Sequence, residues 1–314
     1  MNQAISLNII RYDHSYQEQW NHFVNDAKNS TFLFHRSFME YHATKFTDYS
    51  LMLFKNNELV AVLPANIVAD TVYSHQGLTY GGLIVKSSCK FALYKELFAC
   101  LMHYLKEQHI RFLKIKTIPS LYGDACNDEL VYLQQFYSGT VEHNIGSVIY
   151  ETPEISKSIY RNAKNAIKKG IEIRKSDDFE FFWNQLLIPR LQNRFEKQPI
   201  HSLEEIIYLK DLFPDEIQLY GAFIGTEMIA GTVLFQNRKF TKSQYIASNP
   251  NFNKLGGLDL LHLELIQNRK QPYFDFGTSS ADASFQEVES LLAWKEQFGA
   301  RTLVFSTYTF NLTL

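Results

Sequence analysis

The sequence predicts two consecutive α/β halves, each a mixed, mostly antiparallel central sheet flanked by helices, and three observations carry that prediction. Its 314 residues exceed what one core usually organises. A composition that is 46% hydrophobic and 15% aromatic, with only 14 Gly and 8 Pro, supplies material for large cores and little for linkers. Most directly, a helix pair followed by a three-strand meander, then helix, strand, helix and strand, occurs twice along the chain.

In the first half, residues 5–12 read as a strand and 16–27 carry Trp20, Phe23, Val24 and Ala27 at helical spacing, followed by a second helical stretch at 34–46. Short β-rich runs at 50–54, 58–68 and 71–75 are separated by turn residues such as Asn56-Asn57. A helix at 90–108, a strand at 111–118, a helix at 127–136 and a strand within 140–151 complete this half, assigned to residues 1–152. The second half, 153–314, opens with a helix at 156–169, a strand at 171–174 and helices at 178–193 and 202–212, closed by Pro214. Strands at 217–224, 228–236 and 239–248 form its meander. A helix at 254–270, a strand at 272–276, a helix at 284–298 with the capping-box pattern Ser284-x-x-Glu287, and a strand at 300–307 follow.

A formal net charge of -2 gives no bulk attraction to polyanions, and no DNA partner is expected. Cys89, Cys100 and Cys126 are odd in number and widely spaced, which fits neither a disulfide framework nor a zinc site, so no metal is expected and a reducing cytoplasmic location is. No basic-then-apolar leader opens the chain, and no stretch approaches the roughly 20 apolar residues that span a bilayer. Integral membrane association is therefore not expected.

The segment SNPNFNKLGGLDLLHLELI, 248–266, passes from a strand through an Asn-rich loop into a helix at Gly256-Gly257. Free N–H groups at a helix start, approached closely over glycine, suit a phosphate; the same glycines also serve simply to turn the chain. On the helix at 284–298, Lys295 shares the apolar stripe with Val288, Leu291, Leu292 and Phe298, so its ammonium either snorkels to the helix edge or meets an anion. Asp275, between Phe274 and Phe276 on a strand, is the candidate partner. The helix at 157–169 places Lys157, Arg161, Lys164 and Lys168 in one stripe, a solvated face or a phosphate-binding one.

The doubled element order, together with RNAKNAIKKGIEIRKSDD at 161–178, YIAS at 245–248, FDFGTSS at 274–280 and LLAWKEQFGAR at 291–301, resembles the FemAB-like branch of the GNAT acyltransferases, which carries two GNAT folds in one chain. SHQGLTYGG at 74–82 resembles it more loosely. The resemblance implies an acyltransferase holding an acyl donor on the C-terminal half, either acyl-CoA or an aminoacyl-tRNA. Lys254, Leu255, Gly256 and Gly257 then occupy the donor-binding turn. The family pattern there is Arg or Gln, two residues, Gly, one residue, then Gly or Ala; in Asn253-Lys254-Leu255-Gly256-Gly257-Leu258 only the first glycine falls in place.

Within that frame the acceptor is an amine, small or carried on a lipid or nucleotide, such as an amino sugar or cell-envelope precursor. Its attack on the donor carbonyl needs orientation, proton removal and oxyanion stabilisation. Candidate catalytic residues are Tyr245 as acid to the leaving thiolate, Asp275 as base or orienting carboxylate, and His75, whose imidazole ordinarily titrates near neutrality. Lys295, Tyr80, His201 and Arg161 are candidate substrate-binding residues; His201 equally reads as the residue before a Ser202 helix cap completed by Glu205. The segments 178–193 and 202–212, interrupted by Pro189 and Pro199, are too short for the long hairpin of tRNA-dependent relatives, which favours acyl-CoA. The N-terminal half has no strand-to-helix Gly-Gly turn corresponding to that at 256–257 and is expected to wall the acceptor cleft. Two other readings stand beside this one: aminoacyl-tRNA-dependent transfer to a peptidoglycan precursor, and a non-catalytic binding protein.

Overall fold

The computed structural model describes residues 7–279 and 285–313. Its chain forms two compact units, Met1–His143 with Val304–Leu314, and Asn144–Leu303. Residues 304–314, grouped above with the second half, thus belong to the first unit.

In the first unit, strand β1 (Leu7–Arg11) leads into helix α1 (Gln17–Asp26) and a short helix α2 (Arg36–Met39). Strands β2 (Thr47–Asp48), β3 (Leu51–Lys55), β4 (Glu58–Leu63), β5 (Asn66–Val68), β6 (Thr71–Tyr73) and β7 (Ile84–Val85) follow. Then come α3 (Phe91–Glu107), β8 (Phe112–Lys116), α4 (Glu129–Leu133) and the start of β9 (Thr140–Tyr150), whose residues from Asn144 on belong to the second unit. The predicted run 58–68 is two strands because Pro64 has no N–H to give the ladder. The predicted helix at 34–46 is only α2 flanked by single 3-10 turns, because Arg36 is turned inward. Its guanidinium, 4% exposed, donates to Asp48 Oδ2 at 2.7 Å, Ser50 Oγ at 3.0 Å and Glu40 Oε1 at 3.2 Å, and lies 3.7 Å over the Tyr12 ring.

Strands β1, β3, β4 and β7 form one antiparallel sheet. In the other, β8 pairs parallel with β6, which continues to β5 and β2, and antiparallel with Thr307–Asn311 near the end of the chain. Leu97, Phe98 and Leu101 of α3 pack between them with Leu51, Val60, Leu113, Ile115 and Phe310.

The second unit runs through α5 (Lys157–Lys168), β10 (Ile171–Ser176), α6 (Phe179–Phe181), α7 (Ile188–Phe195), α8 (Leu203–Leu212), β11 (Ile217–Ile224), β12 (Glu227–Gln236), β13 (Phe240–Ser248), α9 (Gly257–Gln267), β14 (Tyr273–Thr278), α10 (Phe285–Glu296) and the start of β15 (Arg301–Asn311), whose residues from Val304 on belong to the first unit. Between α6 and α7 the helix continues as a π-helical stretch, Phe182–Leu187, so Pro189 does not end it. Widening the turn ahead of a proline relieves the clash of its ring with the carbonyl four residues back. The cap at Ser202 is present as a full capping box with Glu205. Ser284 lies outside the described residues.

Strands β10 to β13 form an antiparallel meander; β13 then pairs parallel with β14, and β14 antiparallel with β9. Helix α9 packs its Gly257 end on Ala222 and Ile229, while Phe182 of the π stretch abuts Gly231 on the opposite face. The core gathers Ile159, Ala163, Leu261, Ile266, Phe274 and Phe298.

Candidate active site

Parallel strands β13 and β14 are hydrogen-bonded only through Phe240, Thr241 and Lys242 against Tyr273, Phe274 and Asp275. Beyond that point the two strands part, and a cavity of about 450 Å³ occupies the gap. Ser243, Gln244 and Ser248 line it from β13, Phe276 and Thr278 from β14, Gly256 and Asp259 from the start of α9, Trp294 and Lys295 from α10, and Arg190 from α7. Arg190 and Ser248 also line a neighbouring cavity of about 550 Å³ against Gln185, Asn193 and Pro250.

Lys295 forms part of the cavity lining although it is only 2% exposed. Its ammonium donates to Ser279 Oγ at 2.7 Å and the Gly277 carbonyl at 3.1 Å, leaving a third N–H. Burial pulls its pKa down to about 8, against the opposing pull of the Asp275 charge and with a smaller push from Lys242. Asp275, fully buried, accepts the Gly277 N–H at 2.7 Å, and Gly277 takes a left-handed φ of +71°. The segment after Asp275 therefore folds back over the carboxylate and presents its carbonyl to the lysine.

Gly256 caps α9 with φ +81°, and a Cβ there would lie 2.8 Å from the Asn162 carbonyl. Gly256→Ala is expected to cost about 1–3 kcal/mol, read as a lower thermal midpoint; an unchanged midpoint would show that the left-handed start is dispensable. Asp259, one turn into the helix, accepts from Asn162 Nδ2 at 2.8 Å and Trp294 Nε1 at 3.2 Å. His262, fully buried, has Nδ1 at 3.0 Å from the Leu258 carbonyl and Nε2 at 3.4 Å from Ser243 Oγ. Burial lowers its pKa to about 4, so the ring is neutral; the carbonyl can only accept, so Nδ1 carries the proton and Ser243 donates to Nε2. The Ser243 lone pairs are thereby left for the cavity.

No family model matches this chain, and no curated protein does. Among solved structures, FemX superposes with a TM-score of 0.65 at 12% identity, over 95% of this chain and 96% of that one. The structure of L-PGS from Bacillus licheniformis gives 0.61 at 11%, over 97% and 93%. A tandem GNAT protein from the clavulanic acid biosynthesis pathway gives 0.51 at 10%, over 98% and 99%. The fold is the tandem GNAT fold. At these identities the likeness is one of fold, a mixed α/β architecture in both halves as the sequence predicts.

On this fold, Lys295 and Gly256 meet at one cavity, with Asp275 close to the lysine. Leu255 packs into the core beside the turn, Gly257 is buried as the first residue of α9, and Lys254 is exposed. Tyr245 is not at the cavity. A β-bulge sets Ser243 opposite Leu234 and Tyr245 opposite Val233, which turns Tyr245 to the other face, against Trp183. Its hydroxyl lies 2.5 Å from His201 Nδ1, and burial raises its pKa. His201 is thus a core residue, its carbonyl accepting from Trp183 Nε1 at 3.3 Å.

His75 and Tyr80 lie in the first unit. His75, 6% exposed, stacks on His42 with ring centres 4.7 Å apart, and burial pulls its pKa down to about 3. It does not titrate near neutrality, which corrects the expectation on which its role as a base rested. Tyr80, also buried, donates to Thr31 Oγ1 at 3.3 Å. Arg161 is exposed on α5 and is not part of the cavity lining. Sequence reasoning missed Ser243, Arg190, Asp259 and Trp294. Only a lone histidine between Leu261 and Leu263 signalled the Ser243 partner.

Proposed function

We propose that the second unit transfers an acyl group from a coenzyme A thioester to an amine. The observation that carries this reading is the cavity where β13 and β14 part, with the Lys295 ammonium in its wall. Edges of parted strands offer backbone N–H and C=O groups to an extended donor, and the wall of the gap can hold its carbonyl. The third N–H of Lys295 is suited to the oxygen on which charge develops as the amine attacks. The amine nitrogen bonds to the carbonyl carbon, the carbon–sulfur bond breaks, and the thiolate leaves with the proton the amine gives up. Ser243, its own proton held by His262, can accept a hydrogen bond from the amine and aim its lone pair. Asp275 acts through Lys295, and Tyr245, His201 and His75 take no part. The acceptor in this proposal is the amine of an amino sugar or cell-envelope precursor, a choice supported by the FemX-like fold.

Calorimetric titration with acetyl-CoA and longer acyl-CoAs tests this reading. Binding in the micromolar to millimolar range is expected, weakened about tenfold in Arg190→Ala, which removes a charge-assisted contact to the donor. A Gly256→Glu variant is a poor probe, since any side chain there meets Asn162. Absence of binding by every thioester would sink the acyl-CoA reading.

A second reading has its own observation. Asp259 places a carboxylate in the lining, which suits the α-ammonium of an aminoacyl ester donor. Binding of charged tRNA without thioester binding would favour it, and binding of neither would leave a non-catalytic protein.

A further inference from the structure

Helix α5 carries a surface that the transfer reaction does not use. From Ser156 to Gly170 the sequence has Lys157, Arg161, Lys164, Lys168 and Lys169 and no acidic residue, in a chain whose formal net charge is -2. All five cations are exposed. None makes a side-chain ion pair or hydrogen bond with the described residues. Glu154 and Glu172 lie beyond the two ends, and Asp259, which accepts from Asn162 of α5 and from Trp294, forms no ion pair with these cations.

At 100° per residue, Lys157, Arg161, Lys164 and Lys168 fall within an arc of about 60° directed away from the buried Ile159, Ala163 and Ala166. Along one flank of that arc stand Tyr160, 46% exposed, and Ile167, 59% exposed. A row of unpaired cations edged by an aromatic and a branched aliphatic side chain has the chemistry of a helix lying on an anionic bilayer. There the cations meet headgroup phosphates and the apolar tips enter the acyl boundary. Nucleic acid would reward the cations and the tyrosine but not Ile167.

We propose that α5 docks the protein reversibly on membrane surfaces rich in anionic phospholipid, independently of which acyl donor the cavity takes. The test is co-sedimentation of the full chain with vesicles of phosphatidylcholine alone and of phosphatidylcholine mixed with phosphatidylglycerol. The protein is expected to partition onto the mixed vesicles only and to be released by salt. Each charge lost from Lys157, Arg161, Lys164 or Lys168 should weaken partitioning about fivefold, and Ile167→Ala about threefold. Thermal midpoints should be unchanged, since these side chains touch no core. Equal partitioning onto both vesicle types, or retention by a variant with Lys157, Arg161, Lys164 and Lys168 all changed to Glu, would overturn the proposal. So would binding of bulk tRNA that is lost in the charge variant while vesicle binding is absent.

Discussion

Lys295→Met is expected to lower kcat about 10²–10³-fold, the loss seen when one preorganised oxyanion donor is removed. Because the contact forms in the transition state, kcat and kcat/KM should fall together with little change in donor affinity. Calorimetric binding by the variant therefore separates a catalytic loss from an emptied site. The wild-type rate should also decline as pH rises through about 8, where the buried ammonium loses its proton. A variant that keeps wild-type turnover would remove the lysine from the mechanism.

The same lysine leaves a trace in stability. Its folded pKa of about 8 lies below its ordinary 10.5, so between those values the unfolded chain binds more protons, and stability rises with pH. Below pH 8 the burial cost is fully present. Over that window the wild type should gain about 3 kcal/mol relative to Lys295→Met in denaturant titrations. Parallel curves for the two proteins would show that the ammonium is better solvated than its burial implies.

Arg36→Met is expected to destabilise the first unit by about 2–3 kcal/mol, because the guanidinium is buried and its loss leaves several partly exposed acceptors without their shared donor. Asp48, Glu40 and Ser50 lose their shared donor, and Tyr12 loses the cation over its ring. In a unit of this size the shift in thermal midpoint should be about 10 °C. Lys86, paired with Glu58 at 2.8 Å, is the contrast, since its side chain is 25% exposed and that of Glu58 64%: Lys86→Met should cost under about 1 kcal/mol. Equal shifts in the two variants would show that burial does not govern these pairs.

The strands and long helices of both halves were legible because their apolar residues recur at a period of two or 3.6 over whole elements. What escaped was set by single local events. The inward Arg36 broke a helix that periodicity alone extends to residue 46, and the π stretch carried another through Pro189. At the site, Lys295 was visible as a charge on an apolar stripe and Gly256 as a turn requiring freedom of φ. Tyr245 was misplaced because one bulge residue in β13 exchanges the faces of its neighbours, and period-two reasoning has no mark for it. His75 was misread because a polar loop rich in glycine gives no sign that it is packed on a second imidazole.

The grouping of Val304–Leu314 with the first unit bears on how the chain is made. Tyr308, Phe310 and Leu312 complete a core whose other members lie before residue 134, and Thr307–Asn311 supplies the ladder partner of β8. A ribosome adding about 5–20 residues per second must finish the whole second unit, on the order of ten seconds of synthesis, before that strand emerges. Throughout that interval the nascent first unit holds an unpaired β8 edge and an uncovered apolar face. Synthesis begins the first unit first and completes it last, so its β8 edge is closed only when Thr307–Asn311 has been made.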